Sequence, residues 1–452
     1  MKRISYLLAL IMVVAFSACT AKKEQKADNK EMTKVSHPEW TRDAVIYEVN
    51  LRQYTPEGTL KAFQQHLPRL KDLGVDILWL MPIHPISQLN KKGELGSYYA
   101  VQNYKEVNPE FGTLDEFKEV VKQAHDMGFK VIIDWVANHT GGDNVWTKEH
   151  PEWYVRDSVG NFVSPYDWTD TYKLDYTNKE MRAGMLDALK YWVKEADIDG
   201  YRCDVAYEVP TDFWDNARQA LDSIKPVFML AEAEKPDLTV EAFDAVYNWP
   251  LKNVMNEIAK DKKGNAAYLI DSLRARQDSI FPGDAFQMNH ITNHDLNSWE
   301  GTEFDRLGDG VKAFAVLTYT LNGMPLLYTG QEVGMNKAFE FFKKDTPPAW
   351  DNNEWTEFYK QLNALKHSQP ALKAGVEGGE IVRYETGNED AYVFSRSKDG
   401  SEVLVFLNLS DAPVKLEYKD KAPKGEYTDY FKGGKADMPS ELAAWEYKVY
   451  IK

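Results

Sequence analysis

Two kinds of hydrophobic pattern alternate along most of this chain. Short apolar, β-branched runs end in polar residues: "AVIYEVN" (44–50), "VDILWLMP" (75–82), "KVIIDWVANH" (130–139), "DGYRCDVA" (199–206) and "PVFMLAEAE" (226–234). "AFDAVYN" (242–248), "FQMNHITNHD" (286–295) and "GMPLLYTGQE" (323–332) continue the series. Between many of them, segments such as "TLKAFQQHLPRLKDLG", "TLDEFKEVVKQAHDMG" and "KEMRAGMLDALKYWVKEA" repeat apolar residues at three and four positions, the spacing of an amphipathic helix. Strands with little polar alternation, separated by helices, imply a parallel sheet, and eight such units predict a (β/α)8 TIM barrel over residues 38–375. From residue 376 the pattern changes to alternating strands, "EIVRYE", "AYVFSRSK", "SEVLVFLNLS", "PVKLEYK" and "EYKVYIK", with Gly, Asp and Lys between them. These predict a separate antiparallel β-sandwich over 376–452.

A barrel unit averages about 30 residues, and the polar residues at strand ends keep this interval. Asp204 and Glu232 are 28 positions apart, one unit, and Glu232 and Asp295 are 63 apart, two units. Asp134 to Asp204 is 70 positions. That is one unit with roughly 40 residues inserted, which predicts a short B subdomain at 140–178 beside the mouth. Each carboxylate closes a strand at its C-terminal end, the face where barrels of this kind carry their chemistry. The second βα connection, "IHPISQLNKKGELGSYYAVQNYKEVNPEFG", is also long, as binding loops are.

In a strand, residues two apart face the same side, so Arg202 and Asp204 both point into the barrel and Cys203 points out. A guanidinium beside a carboxylate favours its ionised form, as a nucleophile requires. Glu232 lies in the apolar run "FMLAEAE", where burial would raise its pKa and suit it to act as a general acid. Two carboxyls with opposed protonation on adjacent strands form the pattern of glycoside hydrolysis, and a separation of ~5 Å would retain configuration. Asp295 ends "ITNHD" and His139 ends "DWVANH", each an Asn-His dipeptide at the end of a predicted barrel strand.

Composition narrows the remaining classes. The 54 Lys and Arg against 70 Asp and Glu leave a net charge of −16, which offers nucleic acid no basic stripe. HExxH, a Cys cluster, a Gly-rich phosphate loop and GxSxG are all absent. Lys2 and Arg3, an apolar stretch from Tyr6 to Phe16, and Ser17-Ala18-Cys19 read as an export signal over residues 1–18. The signal resembles that of bacterial lipoproteins, in which the cysteine becomes the lipidated N-terminus. Cys19 would anchor the exported protein to a membrane, on the periplasmic or outer-membrane face, through a polar tether at 19–37. The other cysteine, Cys203, then has no disulfide partner.

Four short stretches, in order, carry a resemblance: "DWVANH" (134–139), "GYRCDVA" (200–206), "AEAE" (231–234) and "TNHD" (292–295). With flanks such as "NPEFGTLDEF" and "YTGQEVG", the chain from about residue 40 onward resembles the α-amylase family, glycoside hydrolase family 13. The resemblance implies Asp204 as nucleophile, Glu232 as acid/base and Asp295 as transition-state stabiliser gripping sugar hydroxyls. It implies Arg202, His139 and His294 as residues that hold the sugar, and Tyr99 as the stacking tyrosine, with Tyr98 the alternative. Asp134 is supportive, and Asn138 matches a position that helps to hold calcium in many relatives, although no cofactor is required.

The implied activity is retaining hydrolysis of α-1,4-glucosidic bonds in starch-derived glucans or maltooligosaccharides. Transglycosylation or isomerisation within the same family is the nearest alternative, and a non-catalytic glucan- or protein-binding barrel is the other. The chain departs from many amylases after the nucleophile, where Tyr207 and Glu208 stand in place of Lys and His. Trp146, Trp153 and Trp168 of the insertion are further candidates for stacking on sugar.

Overall fold

The computed structural model of this chain describes residues 30–261 and 264–452. The predicted signal peptide, Cys19 and most of the tether lie outside the described residues. In chain order the first ten strands are β1 (Ile46–Val49), β2 (Ile77–Leu80), β3 (Lys130–Val136), β4 (His139–Gly141), β5 (Thr171–Lys173), β6 (Gly200–Asp204), β7 (Phe228–Ala231), β8 (Ala245–Tyr247), β9 (Phe286–Asn289) and β10 (Met324–Tyr328). Eight of them close a barrel in the order β1-β2-β3-β6-β7-β8-β9-β10, every neighbouring pair parallel. Each apolar run identified in the sequence supplies one barrel strand.

The two-residue period of the strands sorts their side chains. Ile46, Ile77, Trp79, Ile132, Leu230 and Met324 fill the barrel interior, whereas Tyr47, Leu78, Ile133, Tyr201 and Cys203 lie in the shell beneath the helices. Helices such as Leu114–Asp126 and Lys179–Glu195 bury an apolar stripe against that shell. The first of these begins with a capping box, in which Thr113 and Glu116 exchange side chain to backbone hydrogen bonds. Gly200 allows β6 to approach β7 closely: its φ is +151°, and a Cβ there would stand 1.8 Å from the Phe228 carbonyl oxygen.

The inserted segment holds β4 and β5, an antiparallel ribbon that pairs His139 with Lys173. His139 therefore opens this ribbon, and β3 has already ended at Val136.

Beyond the barrel come β11 (Ile381–Arg383), β12 (Ala391–Lys398), β13 (Ser401–Asn408), β14 (Val414–Lys415), β15 (Thr428–Asp429), β16 (Glu441–Leu442) and β17 (Tyr447–Ile451). Five form an antiparallel sheet in the order β11-β12-β13-β17-β15, and β14 pairs with β16 in a small second layer. One face of the large sheet, with Tyr392, Phe394, Val405 and Val449, joins the core around the barrel. The other face, with Val393, Leu404 and Phe406, packs against Val414 and Leu442 of the small layer.

Candidate active site

The uppermost inward-facing residues of several barrel strands are polar or aromatic and meet around one guanidinium. Arg202, from β6, is fully buried. Its Nη1 donates to Asp134 Oδ1 at 2.8 Å and to Asp204 Oδ1 at 2.9 Å. Its Nη2 forms an ion pair with Glu232 Oε2 at 3.0 Å, and its Nε donates to the Tyr247 hydroxyl at 3.0 Å. The indole of Trp79 and the ring of Tyr99 lie 5.1 and 5.7 Å from the guanidinium carbon, so the cation is enclosed by π-faces as well as by carboxylates. Asp204 and Glu232 thus sit on the two terminal nitrogens of one guanidinium.

Three carboxyls around one cation cannot all be neutralised by it. Burial, and after it the neighbouring Glu232, push the Asp204 carboxyl well above the usual carboxylate range, with Arg202 pulling the other way. This differs from the expectation that the guanidinium alone would keep Asp204 ionised. The physical reason is that Arg202 divides its charge among Asp134, Asp204 and Glu232. Glu232 also departs from the apolar setting expected for it: besides the Arg202 contact, its Oε2 accepts from the Val205 backbone N–H at 2.8 Å. Val205 presents that N–H from a left-handed conformation with φ of 44°, rare for a β-branched residue.

A second cluster adjoins the first. Tyr99 donates its hydroxyl to Asp134 Oδ2 at 3.0 Å and lies 2.8 Å from His294 Nε2. Tyr98 is instead buried and donates to Asn50. His294 Nδ1 is hydrogen-bonded to Glu48 of β1, and its Nε2 stands 3.4 Å from Asp295 Oδ2. Burial alone would lower the pKa of His294, but the carboxylates of Asp295 and Glu48 raise it to about 9. Asp295 itself opens towards solvent, with its side chain 36% exposed, whereas those of Asp204 and Glu232 are 10% and 16% exposed. The carboxyls thus line a graded opening from buried to wet.

His139 is buried on the other flank, 5.2 Å ring to ring from Trp168. Burial pushes its pKa down to about 3, leaving a neutral imidazole. Asn138 turns its amide nitrogen to the His139 ring at 3.4 Å, and its backbone carbonyl accepts from Leu174 N–H. Of the three tryptophans of the insertion, Trp153 is buried and Trp146 packs on Tyr104 and Trp153 in the core. Trp168 is the one that borders this site.

Sequence reasoning did not single out Glu48, Trp79 or Tyr247. Glu48 carried a signal of the same kind as Arg202, a charged residue inside the apolar run "AVIYEVN". Trp79 and Tyr247 carried none, because an aromatic residue in a buried strand reads as core.

The family model described as the alpha amylase catalytic domain matches residues 21–172 and 149–371. An α-amylase from Haloarcula japonica, MalA, is 28% identical over 399 residues, covering 83% of this chain and 57% of that protein. This chain thus spans little more than half of that relative. A cyclomaltodextrinase from Thermoanaerobacter pseudethanolicus is 27% identical over 429 residues, covering 82% and 71% of the two chains. The crystal structure of an α-amylase from Lactobacillus plantarum superposes with a TM-score of 0.81 at 30% identity, covering 91% of this chain and 99% of that one. A matching barrel, a matching catalytic-domain model and carboxylates gathered at the expected rim lead to one assignment: this chain belongs to the α-amylase family.

Proposed function

We propose that this protein is a retaining glycosidase that cleaves α-1,4-glucosidic bonds in starch-derived glucans or maltooligosaccharides. The observation that carries the reading is the single guanidinium of Arg202 holding Asp204 and Glu232 together at the open end of the barrel. The reactive form has Glu232 protonated and Asp204 ionised: Glu232 protonates the departing glycosidic oxygen as Asp204 attacks the anomeric carbon. The C–O bond to the leaving sugar breaks as the bond to the Asp204 carboxylate forms. Glu232, now ionised, then takes a proton from the water that hydrolyses this glycosyl-enzyme, and two inversions retain configuration. Arg202 touches both carboxyls and so stabilises whichever bears the charge. Tyr99 offers a ring face to the sugar, neutral His139 and cationic His294 offer N–H donors to its hydroxyls, and Asp295 accepts from them.

Each step proposed here is assigned to a side chain, and among the described residues no three or more His, Cys, Asp or Glu gather as a metal site would. Next to Asn138, His139 pairs with Lys173 of β5, whose ammonium lies 3.0 Å from Glu208. Unchanged melting temperature and rate in the presence of a calcium chelator are the outcome expected of a metal-free site.

Relatives named cyclomaltodextrinase add ring-shaped dextrins to the substrates worth testing. Products from maltoheptaose, pullulan and a cyclodextrin, followed with labelled water, test the reading. Label in a new reducing end marks hydrolysis, unlabelled longer oligosaccharides mark transglycosylation, and no cleavage of any substrate overturns it. Export and lipid anchoring through Cys19 belong to the same proposal, and loss of membrane association in Cys19→Ala tests them.

A further inference from the structure

The first described residues lie across the floor of the barrel, the rim opposite the carboxyls. The Glu31 carbonyl accepts from the Gly283 N–H at 2.7 Å, Thr33 donates its N–H to the Gly283 carbonyl at 2.8 Å, and Lys34 donates its N–H to the Val240 carbonyl at 2.7 Å. The Ser36 carbonyl accepts from Arg218 at 3.1 Å. His37 Nδ1 lies 2.7 Å from Asp244 Oδ1, its Nε2 donates to the Asp284 carbonyl at 3.1 Å, and its ring stacks on Phe286 at 4.1 Å. Trp40 then packs on Phe228, and Arg42 pairs with Asp284. Phe228 and Phe286 open β7 and β9, and Asp244 immediately precedes β8. Because the barrel strands are parallel, these starts share one rim, and Asp204 closes β6 at the other. Residues 31–42 thus form a strap tied to the floor.

Eleven positions separate Cys19 from Lys30, where the strap begins. Fully extended, that many residues span at most about 36–40 Å. A folded chain of this size has a radius of gyration of about 22 Å, a body about 55 Å across. For the mouth to lie against a bilayer that holds Cys19, the connection would have to run the depth of that body. It is too short.

Building on the proposed lipid anchoring, we infer that the strap holds the barrel with its floor towards the membrane and its catalytic mouth open to the aqueous phase. A long glucan then meets the mouth from solution, without the bilayer in its way.

Energy transfer from a dye on the lipidated protein to an acceptor at the surface of liposomes tests this. Cys203 is buried and Cys19 would carry the lipid, so the dye attaches at one introduced cysteine. Val376→Cys labels the floor, where the Val376 N–H donates to Asp284, and Trp299→Cys labels the mouth, four residues beyond Asp295. Both side chains are exposed. Donor emission is expected to fall more from the label at 376 than from the label at 299. Equal losses, or a greater loss at 299, overturn the inference. Inserting about thirty Gly and Ser residues before Lys30 should bring the two losses together, and a difference that survives the insertion overturns the role of the strap. Absence of a lipid on Cys19, read by mass spectrometry of protein purified from bacterial membranes, would instead overturn the anchoring reading.

Discussion

Arg202 and Arg396 are both fully buried, one at the mouth of the barrel and one at its joint with the C-terminal sheet, and they face different partners. Arg202 is surrounded by carboxyls. Arg396, on the barrel-facing side of β12, donates instead to four backbone carbonyls: Gly379, Thr320, Leu321 and Lys373, at 2.8 to 3.2 Å. Thr320 ends the helix Val311–Thr320, so Arg396 satisfies carbonyls at the negative end of a helix dipole. The electrostatic outcomes are opposite. Burial, followed by the repulsion of Arg274, lowers Arg396 to about 9, whereas Asp134 and Glu232 overcome the burial of Arg202 and raise it well above its ordinary value. A buried cation among carbonyls joins two parts of a fold. A buried cation among carboxyls is a costly arrangement that suits the roles proposed for Asp204 and Glu232.

Substitutions can break this contrast. The largest effect is expected for Asp204→Asn and Glu232→Gln, each costing about 10⁴-fold or more in kcat. Because the pKa of Asp204 is raised in the folded protein, ionising it destabilises the fold above its unfolded pKa. Asp204→Asn should therefore melt no lower than the unchanged protein, by calorimetry at pH 7. Arg202→Met comes next: about 10²- to 10³-fold in kcat/KM, from the loss of the group that holds both carboxyls. Arg396→Met should reverse the pattern. Four carbonyls lose their donor, at a cost of about 3 kcal/mol read from denaturant unfolding, while kcat per folded molecule is unchanged. Equal behaviour of the two arginine variants would dissolve the distinction.

The smallest effect concerns pH. The pKa of His294 is raised to about 9 in the folded protein, so the stability from its charge is complete below about 6.5 and is lost as pH rises through 9. The melting temperature should decline over that window, and kcat/KM should show an alkaline limb near its upper end. His294→Gln should flatten the decline in melting temperature.

Much of the fold was legible because it follows from local pattern. Each of the eight apolar runs becomes a barrel strand, and the change of period near residue 376 marks where helices give way to the C-terminal sheet. Strand parity placed Arg202 and Asp204 on one side and Cys203 on the other, which is how they lie. Less legible were contacts between distant strands. Glu48 meets His294 across 246 positions, and Asp134 meets Arg202 across 68. No spacing rule connects such residues, because barrel closure, and not sequence separation, decides which strand ends meet.

The sequence by itself determined that strands and helices alternate, which side chains enter the barrel and that acidic residues cap its strands, since each depends on a period of a few residues. Only the tertiary structure decided how charge is shared among those acids: three carboxyls converge on one guanidinium, and two more carboxylates hold His294 protonated. Protonation depends on distances and burial in space, and those exist only once the barrel has closed.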